Sequence, residues 1–206
     1  MRKLSVLLSL SVCMAVALAQ EPKEIVSRME AEMARHEGEG MAMTVEMRIP
    51  LLGTVTTRTW TLGDNYKMKA SVKNTEVTTW GDGLTKWTYN AKNNELVIEN
   101  EQADKSASDG SPEMFSGIAD GYEVTLRKES SEAWYFQCKK SKTNKDADDP
   151  KSMDLVIAKE TYHPLSLSTK MSGISLVLSD ISFGVVRSDV TFDMGSYPDA
   201  LVKDKR

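Results

Sequence analysis

From Met41 onward the chain keeps a period of two. Met41, Met43, Val45, Met47 and Ile49 alternate with Ala42, Thr44, Glu46 and Arg48. Tyr66, Met68, Ala70 and Val72 alternate with Lys67, Lys69, Ser71 and Lys73. The pattern returns at Tyr122/Val124/Leu126, Trp134/Phe136/Cys138, Met153/Leu155/Ile157, Leu165/Leu167/Met171, Ile174/Leu176/Leu178 and Val190/Phe192/Met194. Such alternation gives a strand one dry and one wet face, as in antiparallel sheets. Roughly ten strands of this kind, each turning about three apolar side chains to one side, make an apolar face that must be covered or closed on itself.

The helical cover that the sequence offers is small. Pro22 suits the first turn of a helix, and Ile25, Val26, Met29 and Met33 fall on one face of it before Glu37-Gly38-Glu39-Gly40 ends it. A polar stretch, Glu101–Ser111, leads to Pro112-Glu113-Met114-Phe115, a short helix with Ser111 as its cap. The charged segment Ser141–Lys151 is expected to be a mobile hairpin loop. Two solutions follow: a closed barrel filled by its own side chains, or an incompletely curled sheet with an apolar cavity beneath the helices. The pattern alone leaves both open. The ten methionines from Met29 onward favour the second slightly, because Met adapts to irregular apolar partners. Met29, Met33, Met41, Met43, Met47 and Met68 either line one pocket or form ordinary core.

The chain of 206 residues suits one domain. A net charge of −4 with dispersed Lys and Arg argues against nucleic acid as a partner. Two His and two Cys leave no clustered ligand set, so neither metal nor cofactor is expected. His36 at a helix end and His163 before Pro164 read as separate surface residues. Asp146, Asp148 and Asp149 lack the spacing of a calcium loop, and no nucleophile elbow, P-loop or carboxylate pair is present. The chain does not read as an enzyme.

Arg2 and Lys3, the apolar run Leu4–Leu18 and the ending Ala17-Leu18-Ala19 are the parts of a secretory signal peptide. Cleavage is expected after Ala19, leaving residues 20–206 as one periplasmic domain. Val12 stands where a lipidated Cys13 would want a small residue, so Cys13 leaves with the signal. Cys138 then remains as a lone buried thiol.

The segment Trp80-Gly81-Asp82-Gly83-Leu84-Thr85-Lys86-Trp87-Thr88-Tyr89-Asn90 joins a tight Asp-Gly turn to a strand carrying Trp87 and Tyr89 on one face. It resembles the outer-membrane lipoprotein carrier (LolA) family, in which a D-G turn leads into a W-x-Y strand. The layout is similar too: a signal, a long first helix, a helical insertion after the hairpin, and an ending in Asp189-Val190-Thr191-Phe192-Asp193-Met194 and Pro198-Asp199-Ala200-Leu201-Val202. The chain departs from the family at Leu62-Gly63-Asp64-Asn65-Tyr66-Lys67, where members often carry an Arg-Pro pair that latches the lid. It also has Phe192-Asp193-Met194 in place of Phe-x-Phe.

The resemblance implies a mainly β fold with α, an unclosed antiparallel half-barrel under an N-terminal helix and a short helical lid. It implies a periplasmic carrier that binds the acyl chains of lipoproteins and delivers them towards the outer membrane. Its partners would be acylated lipoproteins, an inner-membrane lipoprotein-release transporter and an outer-membrane acceptor, with the carrier a monomer. The cavity residues assigned on this reading are Met29, Met33, Met43, Met47, Trp60, Met68, Trp87, Tyr89, Met114 and Phe115. Two other readings stay open: a regulatory module on the same half-barrel that senses a lipid or a partner, and a structural β protein without a ligand.

Overall fold

The computed structural model describes residues 20–51, 53–72, 75–101 and 112–206. The expected signal peptide, Cys13 and the expected Ser111 cap lie outside the described residues. The described chain starts with helix α1 (Pro22–Arg35). Pro22 opens it, Glu24 sits in its first turn and Arg35 in its last, each complementing the helix dipole. Ile25, Val26, Met29 and Met33 form its buried stripe, as the spacing predicts.

Twelve strands follow: β1 (Met41–Ile49), β2 (Gly53–Leu62), β3 (Asn65–Val72), β4 (Thr75–Gly81), β5 (Thr85–Asn90), β6 (Glu95–Asn100), β7 (Tyr122–Glu129), β8 (Ala133–Lys140), β9 (Ser152–Ala158), β10 (Pro164–Met171), β11 (Ile174–Phe183) and β12 (Leu201–Asp204). They make one sheet in the order β12-β6-β5-β4-β3-β2-β1-β11-β10-β9-β8-β7. Two antiparallel meanders, β1 to β6 and β7 to β11, are joined where β1 pairs with β11. β12 adds to β6 in parallel. β7 and β12 stand at opposite ends, so the sheet is unclosed. This settles the barrel question in favour of the half-barrel. Between β6 and β7 lie a 3-10 turn (Pro112–Phe115) and the one-turn helix α2 (Ile118–Gly121). They pack beside α1 as the short helical lid. Among the described residues no helix is long and apolar enough to cross a membrane.

The two meanders bury opposite faces. Residues paired across antiparallel strands share a face, so the register assigns every side chain. On the inner face, α1 and the lid cover β7–β11 and the near end of β1. Phe115, Phe136, Cys138, Leu155 and Ile157 are fully buried there with Met29 and Met33. On the first meander the buried aromatic row is on the outer face, running Ala42, Trp60, Lys67, Trp80, Trp87 and Ile98 across β1 to β6. The C-terminal segment covers that row. Val185 and Val190 pack on Ala42, Trp60 and Leu62. Phe192 stacks on Trp87 at 5.1 Å and meets Trp80 edge-on at 5.3 Å. Tyr197 lies 4.4 Å from the Tyr89 ring.

This segment corrects one expectation. Val190/Phe192/Met194 is not a strand but the short helix α3 (Arg187–Val190) followed by a 3-10 turn (Met194–Ser196). Asp193 accepts from the Gly195 N–H at 3.0 Å and so starts that turn. The apolar alternation serves a plug over the sheet rather than a ladder within it.

Candidate functional site

The inner face of the second meander carries a pocket of about 270 Å³ where the lid meets β9, β10 and β11. The lid supplies Met114 and Ile118, and the strands supply Met153, Leu167, Leu176 and Leu178. Leu178, Leu167 and Leu155 are cross-strand partners, which fixes their shared direction. Asp149 and Pro150 close one side. They come from the segment Ser141–Lys151, which is not a free loop. Asn144 donates to Asp149 Oδ2 at 2.6 Å, and Lys140 Nζ donates to the Asp146 carbonyl.

Tyr122 adds the polar element. It is 7% exposed, and its hydroxyl finds no hydrogen-bond partner among the described residues. Burial, with the nearby Asp149 carboxylate adding to it, pushes its phenol up to about 12, so it stays a neutral donor. A buried hydroxyl without a partner costs stability, and this one belongs to a residue of the pocket lining. The site can therefore hold an apolar chain, with the Tyr122 hydroxyl sealed from it.

The ten sequence-assigned cavity residues do not share one wall. Met29, Met33, Met43 and Phe115 are on the inner side, each no more than 2% exposed, and pack as core. Met47 and Met68 are half-buried on the inner face of the first meander; Met47 is the cross-strand partner of the pocket residue Leu176, and Met68 lies two strands further from it. Met114 lines the pocket. Trp60, Trp87 and Tyr89 point to the outer face, against the C-terminal plug. Sequence reasoning missed Tyr122, Met153, Leu167 and Leu176. Each lies in an alternating run that was read as strand, so the signal was present, but the pairing that brings them under the lid was not.

The motif turn forms as expected. Asp82 Oδ1 accepts from the Leu84 and Thr85 N–H groups at 2.9 and 2.7 Å, and Gly83 takes φ 84°. Its neighbour Gly81 lies so close to the Tyr66 ring that a Cβ would stand 2.2 Å from it.

His36 and His163 overturn a second expectation. They are neither separate nor fully exposed: their Nε2 atoms are 3.2 Å apart. Glu32 Oε1 is 3.8 Å from His36 Nε2 and 3.9 Å from His163 Nε2. A clustered ligand set therefore exists, and Glu32 and His36, one helical turn apart, were its only local trace.

No family model and no curated protein matches the chain. Solved structures do. An uncharacterised conserved protein from Thermus thermophilus is 14% identical with TM-score 0.47, over 87% of this chain and 98% of that one. A LolA superfamily protein from Nitrosomonas europaea is 10% identical with TM-score 0.34, over 86% and 100%. MucB of Pseudomonas aeruginosa, solved in complex with MucA, is 14% identical with TM-score 0.44, over 82% of this chain and 61% of that one. The structures to which this chain is similar thus include the superfamily that the Trp80–Asn90 segment resembles.

Proposed function

We propose that the protein is a periplasmic carrier that shields an acyl segment of lipoproteins in the pocket under its lid and passes it towards the outer membrane. The observation that carries this reading is the apolar pocket of about 270 Å³ beneath the lid. Burying each methylene contributes about 0.8 kcal/mol. The volume lies just under the usual range of about 300–1,000 Å³ for ligand sites, so it suits part of one chain rather than several. That keeps affinity moderate, which a carrier needs in order to release its cargo. Methionines at Met114, Met153 and Met171 add a wall that re-forms around different chains. The second reading is a regulatory module on the same half-barrel that senses a lipid or a partner; for a partner, strand addition at β7 has little support. The free edge β7 carries Glu123, Arg127, Lys128 and Glu129, which discourage a docking strand.

The test is release. Purified protein is added to spheroplasts of its own host, and the supernatant is assayed for lipoproteins bound to it. A complex of about one cargo per carrier supports the proposal. No release from spheroplasts with an active transporter contradicts it.

A further inference from the structure

The structure assigns a divalent-cation site to Glu32, His36 and His163, where the end of α1 meets the β9–β10 turn. The three donor atoms are His36 Nε2, His163 Nε2 and Glu32 Oε1, separated by 3.2, 3.8 and 3.9 Å. A point equidistant from all three lies about 2.1 Å from each, which is the bond length of Zn²⁺ to imidazole nitrogen and carboxylate oxygen. The donor set, two imidazoles and one carboxylate, suits a borderline cation and leaves a fourth position open.

The surroundings orient these donors. Glu39 Oε2 is 2.9 Å from His36 Nδ1, the carboxylate–histidine contact that holds a ring with its other nitrogen towards a metal. Arg35 donates to Glu32 Oε2 at 2.6 Å, which leaves Oε1 for the site. Phe183 stacks on the His36 ring at 4.0 Å and meets His163 edge-on at 5.2 Å. The His163 N–H donates to Thr161 Oγ1 at 3.2 Å. The side chains of Glu32, His36 and His163 are 24%, 20% and 31% exposed, so a cation can enter without unfolding. Two ligands come from α1 and its C-cap and one from the β9–β10 turn. A bound cation therefore ties α1, and through it the lid that α1 packs against, to the second meander.

The test uses the untagged, chelator-treated protein titrated with Zn²⁺ and with Co²⁺. One Zn²⁺ per chain, visible Co²⁺ d–d absorption and a thermal midpoint that rises with Zn²⁺ are expected. His36→Ala and His163→Ala should each weaken binding at least tenfold, and Glu39→Gln by about 10–100-fold. Glu32→Gln keeps the shape of the side chain and should also weaken binding, so the test does not depend on a variant that fails to fold. In the unaltered protein, Zn²⁺ should shift the ¹⁵N resonances of His36 and His163 Nε2. Absence of binding, or binding at unchanged affinity in the His variants with unshifted imidazole resonances, overturns the assignment.

Discussion

Replacing Tyr122 with Phe separates the cost of the pocket from its use. The ring packs with Ile118, Phe136 and Cys138 in the inner core and is kept in the variant. Only the hydroxyl, buried and without a partner among the described residues, is removed. An unsatisfied buried hydroxyl costs about 1–3 kcal/mol. Tyr122→Phe should therefore stabilise the ligand-free protein by about 1 kcal/mol, or about 2–4 °C in thermal midpoint for a domain of this size. The hydroxyl has no surface open to the pocket, so the affinity for an acyl ligand should be unchanged. Differential scanning calorimetry reads the first effect, and displacement of an apolar fluorescent probe by a diacylated peptide reads the second. A gain in stability at unchanged affinity is the result expected of a hydroxyl that only costs stability. A destabilised variant, or one with weakened binding, would overturn this expectation.

Other consequences follow from burial and backbone geometry. Met43 is 2% exposed in the core, so Met43→Asp should cost about 4 kcal/mol or more and shift the urea midpoint sharply. Met68→Asp, at a half-buried position, should leave the far-UV CD spectrum intact. Burial pushes the Cys138 thiol up to about 12, with Asp154 adding to it. Almost no thiolate then exists at pH 8, and iodoacetamide should label Cys138 only after unfolding. Gly40 has φ +71°, and a Cβ there would lie 2.7 Å from the Thr61 carbonyl oxygen. Gly40→Ala should therefore destabilise by about 1–3 kcal/mol, read from chemical denaturation.

The alternation from Met41 to Ile49 was enough to place β1, and the same pattern marked β7 to β11. It could not say which face of each strand would be covered, because period two is symmetric between faces. Trp60, Trp87 and Tyr89 look like cavity aromatics for that reason. Their true cover, Val185 and Val190 for Trp60, Phe192 for Trp87 and Tyr197 for Tyr89, lies about a hundred residues or more along the chain. Val190–Met194 shows the same limit from the other side: its alternation is real, but the segment docks on a sheet instead of joining one. The site was less legible than the fold. Tyr122 and Leu176 become neighbours of one pocket only through the pairing of β7 to β11. His36 and His163, separated by 127 positions, meet only because α1 lies along the inner face.

The central claim is that acyl chains enter on the inner face beneath the lid. A photo-crosslinking residue at Leu176, which lines the pocket, and another at Val177, which points to the outer face, test it in palmitate-labelled host cells. Palmitate-bearing lipoprotein adducts are expected at position 176 and not at 177. Equal labelling at both positions, or none at 176 with the protein folded, would contradict it.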